Sequence, residues 1–364
     1  MKNILKSVNL KSFERKSSQR FIPEIDALRF FAIMPVMLVH FSGALLAQNK
    51  SFDRTIIDQE NTFRHILLQG NFGVHLFFAI SGFILTLPFL KKAKGSISLK
   101  KYFTRRLIRI EPPYIIAITI FLIVHLILQE KNFSFLLESY LASFFYVHNG
   151  WFDAASYILP VAWSLEIEVQ FYLIMPILIF IVKFFDSPIW RAFIYLLLLL
   201  SSLYLDILPF EFLNDYMVFF LSGIIAADLY LNLKFNKSYI WDFIFLGCII
   251  TFFSTTNNPT RFICLIGVIT SSFNVILLKK FLNAKLITVI GGMCYSLYLL
   301  HYPLFYLMTK VLGNKFNIGE SFEWTYLIQA SIFIPLGIML MSIYFLLVEK
   351  PFMVLSQKMG KKNT

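Results

Sequence analysis

His40, His75 and His301 stand in otherwise apolar stretches of this 364-residue chain, as do Glu166 and Glu168. An imidazole titrates near neutrality and can take up and return a proton, and a carboxylate beside it fixes its tautomer and raises its basicity. Together these residues hold the ingredients of general-base chemistry. Arg29 precedes His40 by eleven residues, close to three helical turns, so the two share a helix face about 16 Å apart along its axis. That stripe suits a long ligand with an anionic head at the arginine and a reactive end at the imidazole. A snorkelling arginine beside an unrelated histidine is the plainer reading. The densest basic run is Lys100-Lys101-Tyr102-Phe103-Thr104-Arg105-Arg106-Leu107-Ile108-Arg109. Arg105, Arg106 and Arg109 recur at helical spacing just ahead of Pro112-Pro113, and guanidinium forks suit phosphates. Anchoring to lipid headgroups is the alternative.

Other chemistries find less support. Cys248, Cys264 and Cys294 all lie in apolar runs, an odd set that fits neither a disulfide framework nor a zinc site. No metal is expected. His148 and Asp153 match an H-x4-D spacing, yet they fall in a loop without an accompanying glycine-rich motif. No G-x-S-x-G elbow, P-loop or strand-linked G-x-G-x-x-G is present, which argues against a serine hydrolase or a nucleotide-driven pump.

The elements that must carry these residues follow from composition. The chain is 58% hydrophobic and only 15% charged, whereas a soluble domain has about 25% charged residues. A water-soluble enzyme is excluded. The expected fold is all-α and polytopic, with ten transmembrane helices near 26–47, 71–90, 112–129, 160–182, 190–208, 215–233, 239–254, 261–278, 286–309 and 325–348. The seventh is short and contains Asp242, and 133–150 reads as a re-entrant or interfacial helix. Residues 1–20 lack the features of a signal peptide and form an N-terminal tail, 21–353 the membrane domain and 354–364 a C-terminal tail. Ten crossings put both termini on one side. Loops on that side hold 25 Lys and Arg and the opposite loops 7, with Arg29 completing the 33. The positive-inside rule then makes both termini cytoplasmic. The net charge of +12 thus reports orientation, and no nucleic-acid partner is expected.

Depth follows from the helical rise. His40 lies about 21 Å from the inner surface of a ~30 Å core, about 9 Å below the outer one. Glu168 and Glu166 fall at about 12 and 9 Å depth, His301 at about 8 Å and His75 at about 6 Å. Intramembrane ionisable groups are costly and functional by default, and these share one outer layer. Chance occupancy, or histidines that satisfy one another, is the competing account. His125 reaches the same layer and reads as packing.

Several segments together resemble the acyltransferase 3 family of integral-membrane acyltransferases. Arg29 and His40 in IDALRFFAIMPVMLVHF match its R-x10-H pattern. GNFGVHLFFAISGFILT resembles its second span, RRLIRIEPPY its arginine-rich inner loop, and AWSLEIEVQFYLIMP its W-S-L-x-x-E-E-x-F-Y stretch, with Trp163, Ser164, Glu168, Phe171 and Tyr172 matching. GGMCYSLYLLHYPLF is similar to its ninth span, and Val348-Glu349-Lys350-Pro351-Phe352 to its V-E-x-P-F ending. The likeness covers about residues 21–353. Val169 departs where a second glutamate is usual, which leaves Glu168 as the candidate carboxylate, and Glu111 stands where an apolar residue is commoner. Members with a fused extracellular SGNH-type esterase domain also differ, this chain stopping after its last span.

The resemblance implies transfer of an acyl group, usually acetyl from acetyl-CoA, to a hydroxyl of a glycan, a lipid-linked sugar or a macrolide-like acceptor. On this reading the protein is a multi-pass O-acetyltransferase of the bacterial inner membrane. No cofactor is permanently bound, and acetyl-CoA or another acyl-CoA acts as donor. Its partners are the donor, a glycan or lipid-linked sugar acceptor and the bilayer; the sequence leaves oligomeric state open. His40 is the expected base and Glu168 or Glu166 its orienting carboxylate. Arg29, Arg105, Arg106 and Arg109 would hold donor charge. Ser81, Tyr172, Tyr295 or His301 would donate to the developing oxyanion, with His75 a further candidate in the same layer. Direct transfer and an acyl-histidine relay both fit. A transporter or flippase of a lipid-linked sugar or small anion is the competing function, although neither an inverted repeat nor paired broken helices are visible.

Overall fold

The computed structural model of the chain describes residues 22–91, 98–128, 131–184, 187–204, 212–316 and 321–359, together with Phe13. Apart from Phe13, the expected N-terminal tail lies outside the described residues, as do positions 360–364 of the C-terminal tail and part of the loop at 91–98. Among the described residues there is no strand. Helix is what a backbone in hydrocarbon must form, because every N–H and C=O has to find its partner within the segment.

The helices in chain order are α1 (Pro23–Gln48), α2 (Arg54–Glu60), α3 (Thr62–Leu68), α4 (Gly73–Lys91), α5 (Leu99–Leu128), α6 (Phe133–Phe144), α7 (His148–Phe152), α8 (Trp163–Phe184), α9 (Pro188–Tyr204), α10 (Leu213–Asn232), α11 (Ile240–Ser254), α12 (Asn258–Ser272), α13 (Lys279–Leu282), α14 (Lys285–Gly292), α15 (Cys294–Leu312), α16 (Phe322–Tyr344) and α17 (Lys350–Met359). Every expected span coincides with one or two of them. By length and apolarity, five stretches can cross a membrane: Pro23–Gln48, Thr62–Lys91, Leu99–Leu128, Pro160–Phe184 and Phe322–Met359. A sixth is the pair α14 and α15, bent by 73° at Met293. The other four expected crossings fall on α9, α10, α11 and α12. With 15 residues each, α11 and α12 are about 22 Å long, less than a ~30 Å core. The segment 133–150 forms α6 and the start of α7, joined through Tyr146 in the left-handed region at φ 56°.

The chain divides into two compact units. The first gathers residues 1–73, 108–117 and 285–364. In it α1 packs against α14, α15, α3 and α16. A Cβ on Gly291 would collide with the carbonyl oxygen of Asp26, so glycine is what lets α14 approach α1 backbone to backbone. Phe41, Phe305 and Phe333 are fully buried and, with Tyr326, form an aromatic cluster with centroids 5.4–6.1 Å from that of Phe41. Edge-on ring contacts of this kind fix α1, α15 and α16 against one another. Between α16 and α17 the helix widens into a π turn over Phe345–Glu349. Pro351 follows and lacks the N–H that an α-helix would pair four residues back.

The second unit comprises 74–107 and 118–284. There α10 packs against α8, α9 and α12, and α11 against α12. Gly82 of α4 and Gly223 of α10 lie back to back: a Cβ on either would strike a carbonyl of the other helix, Phe220 or Ala79. Small residues at such crossings allow the close approach that drives helix association in lipid. Asp242, the oddity of the seventh expected span, accepts from the backbone N–H groups of Ile276 and Leu278. It ties α11 to the chain that follows α12.

Candidate active site

In the first unit, α1 carries Arg29 near its start and His40 well along it. His40 Nδ1 lies 2.7 Å from His301 Nε2 on α15. The two rings are within 11° of a common plane, with centroids 4.9 Å apart. A face-to-face stack at that separation could not bring two ring nitrogens to 2.7 Å, so the rings meet edge to edge, with the lone pair of one aimed at the N–H of the other. His301 is fully buried, and its Nδ1 lies 2.9 and 2.8 Å from the carbonyl oxygens of Leu297 and Tyr298. Tyr302 stands edge-on to His40 at 5.4 Å.

A residue not singled out in the sequence lies on the same side. Arg64, on α3, is 3% exposed. Its guanidinium donates to Ser42 Oγ on α1 and, at 2.8 Å, to the Asp58 carboxylate. The side chain of Asn61 caps α3 and also donates to Glu323 at the start of α16. The field of Arg64 reaches both His40 and Tyr326. The sequence signal for it was weak, since it counted as one of seven loop charges.

Arg29 is buried and paired with Asp26, one turn before it. Glu349 of the π turn accepts from Ser296 N at 3.0 Å and Ser296 Oγ at 2.5 Å, so it caps the N-terminal turn of α15 immediately after the bend. A carboxylate there satisfies orphan donors and complements the helix dipole. Arg109 acts electrostatically on Asp26 and Glu349, and Arg29 on Glu349. Asp26, Arg29 and Glu349 are buried in this unit and Arg109 is half-buried. Tyr295 donates to the Ile110 carbonyl at 2.9 Å, which leaves its hydroxyl hydrogen engaged in a backbone contact.

The second unit holds the remaining expected residues. Glu168 accepts from Ser81 at 2.5 Å. Both oxygens of Glu166 are taken by the backbone N–H groups of His148 and Asn149, at 3.2 and 3.0 Å. Glu166 therefore holds the start of α7, a role that explains its burial. His148 itself lies between Ser139 Oγ and the Ala154 carbonyl. Burial pushes its imidazole below the ordinary range, only partly offset by the hydrogen bond to Ala154, and the H-x4-D spacing has this packing role. His75 stacks on Phe219 at 3.9 Å. Arg106 lies over the Tyr172 ring at 5.5 Å, and Tyr102 donates to the Tyr172 carbonyl. Arg105 is half-buried on the same stretch of α5. His125 packs against Tyr157. The imidazole hydrogen-bonded to His40 is thus His301, and the two glutamates have partners in their own unit.

A family model described as an acyltransferase domain matches residues 22–347. The chain belongs to the acyltransferase 3 family. The acyltransferase 3 member described here is 28% identical over 362 residues to the peptidoglycan O-acetyltransferase OatA of Listeria monocytogenes, covering 86% of this chain and 53% of that protein. It is 25% identical over 363 residues to O-acetyltransferase OatA of Staphylococcus aureus, with 88% and 56% covered. The chain spans about half the length of these curated relatives. No solved structure matches it.

Proposed function

We propose that this acyltransferase moves an acetyl group from cytoplasmic acetyl-CoA to a hydroxyl of a cell-surface or lipid-linked glycan. The observation that carries the reading is the His40–His301 pair, whose His40 shares α1 with Arg29, inside an otherwise apolar bundle. Peptidoglycan is the acceptor named for the Listeria relative and heads the candidates here. The reading takes ten crossings of the inner membrane with both termini cytoplasmic, as the 25-to-7 division of Lys and Arg supports.

His40 acts as general base. The acceptor oxygen attacks the thioester carbonyl carbon while its proton passes to the free ring nitrogen of His40. The new C–O bond forms, the C–S bond breaks, and the departing thiolate takes the proton from His40 to leave free coenzyme A. Arg29, Arg105, Arg106 and Arg109 hold the donor's phosphates, and Arg64 is the cation closest in effect to the reacting end. Within the second unit, Ser81 and Glu168 are hydrogen-bonded to each other.

The test uses purified protein in detergent with labelled acetyl-CoA and a glycan-lipid extract. Label is expected on acceptor hydroxyls, and His40→Ala lowers transfer by about 10²–10⁴-fold, the usual contribution of a general base, while the protein remains folded. Full transfer by His40→Ala overturns this mechanism. The bend between α14 and α15 is the one feature that favours transport, because broken helices line transporter sites. Movement of an unmodified glycan lipid across proteoliposomes, without acetylation, decides for that reading.

A further inference from the structure

Among the described residues, His40 makes a single hydrogen bond, Nδ1 to His301 Nε2. The protons in that bond can be assigned from the far end. A carbonyl oxygen only accepts, so His301 Nδ1, which faces the carbonyls of Leu297 and Tyr298, carries a hydrogen. His301 is fully buried, where an imidazolium would lose its hydration, so the neutral ring is the stable form. With its proton on Nδ1, the Nε2 of His301 bears a lone pair. His40 Nδ1 must then be the donor, and the remaining nitrogen of His40, Nε2, is left unprotonated.

We infer that His301 is a positioning residue that locks His40 in the Nδ1–H tautomer and leaves Nε2 ready to accept a proton. The lock is built from the backbone of α15 outward: two helix carbonyls orient one imidazole, which orients the next. It works only because α15 is fixed, with its first turn capped by Glu349 and Phe305 fully buried in the aromatic cluster. The groups that face His40 are His301 and Tyr302 on α15 and Arg64 on α3. His301 is thereby moved from the oxyanion-donor role expected in the sequence to that of a tautomer lock.

This inference rests on the general-base reading, yet it is testable apart from it. The full-length protein, labelled with ¹⁵N in its histidine rings, is placed in detergent micelles, and the His40 signals are assigned by their loss in His40→Ala. Wild type is expected to show a protonated Nδ1 and a pyridine-like Nε2. In His301→Ala the Nε2–H form should become substantially populated. The turnover number should fall by about 10–10³-fold, with the KM for acetyl-CoA within about twofold of wild type, as befits a base of disturbed tautomer. His301→Gln retains an acceptor oxygen where Nε2 stood and should recover most of the turnover and the tautomer. A wild-type His40 protonated on Nε2 overturns the lock. So does a Gln variant as slow as the Ala variant. If the tautomer behaves as expected but His40→Ala still transfers acetyl, the lock stands and the general-base reading falls.

Discussion

At the residue scale, the side chains that matter share the problem of being polar in a bundle of hydrocarbon, and each solves it with a named partner. His40 takes His301, Arg29 takes Asp26, and Arg64 takes Ser42 and Asp58. Asp58 itself lies outside the spans and gives a pH prediction. Burial alone would raise this carboxyl, but the hydrogen bond and charge of Arg64, followed by those of Arg54, outweigh it and hold it below the ordinary carboxylate range. A group lowered in the folded state stabilises above its unfolded pKa of about 3.9 and loses that contribution as pH falls through its native value. Hydrogen-exchange protection of residues 54–68 should therefore be steady from about pH 5 to 8 and drop below about pH 4. Asp58→Asn should lower protection near neutrality and flatten the acid-dependent drop. An undiminished acid drop in that variant counts against the role of Asp58. How far such partnerships can be foreseen differs by residue. Arg29, His40 and His301 announced themselves because ionisable residues are scarce in apolar runs, and depth counting put the two histidines in one layer. Arg64 did not, because a lone arginine in a polar stretch looks solvated until packing buries it. For the two glutamates, counting residues gives a depth but no azimuth. Their partners, Ser81 and the amides of α7, depend on which way α8 faces.

At the element scale, the decisive event is the junction of α14, α15 and the π turn. Glu349 reaches the first turn of α15 because the helix widens ahead of Pro351. The V-E-x-P-F segment was legible as a motif; its action as a cap on a distant helix was not, since a cap between residues 53 positions apart leaves no local pattern. Removing the carboxylate leaves Ser296 N–H and the hydroxyl without that acceptor, and a buried unsatisfied group costs about 1–3 kcal/mol. Glu349→Ala should accordingly lower the thermal midpoint in detergent, followed by tryptophan fluorescence, distinctly more than Glu349→Gln, which keeps an acceptor. Equal midpoints for the two variants would mean that the cap contributes nothing. Helix positions themselves were readable, because long apolar runs leave the backbone little choice. The 73° bend has a local mark in Gly291-Gly292 just ahead of Met293, but a glycine pair alone fixes neither the presence nor the size of a bend.

At the scale of the whole molecule, the charge distribution assigns a direction. The loops that hold 25 of the 33 Lys and Arg should face the cytoplasm. Lys101→Cys in an otherwise cysteine-free chain is expected to resist a membrane-impermeant maleimide applied to intact spheroplasts and to react once they are opened. Labelling of intact spheroplasts would invert the topology and separate the acetyl-CoA side from the arginine-rich loop. Each of the ten expected crossings falls on helix, and five stretches, or six with the bent pair, are long and apolar enough to cross. Whether each traverses the bilayer was not readable, because α11 and α12 are short and their depth depends on their neighbours.

The first unit is assembled from three separate stretches of chain, 1–73, 108–117 and 285–364. During synthesis α1 enters the membrane long before α14, α15 and α16 exist, and His40 waits for a residue 261 positions later. A ribosome that stalls anywhere in the second unit therefore releases a protein whose proton-transfer pair is unmade. The histidine pair forms only in a molecule whose translation has passed α15, so the fold withholds its chemistry from unfinished copies.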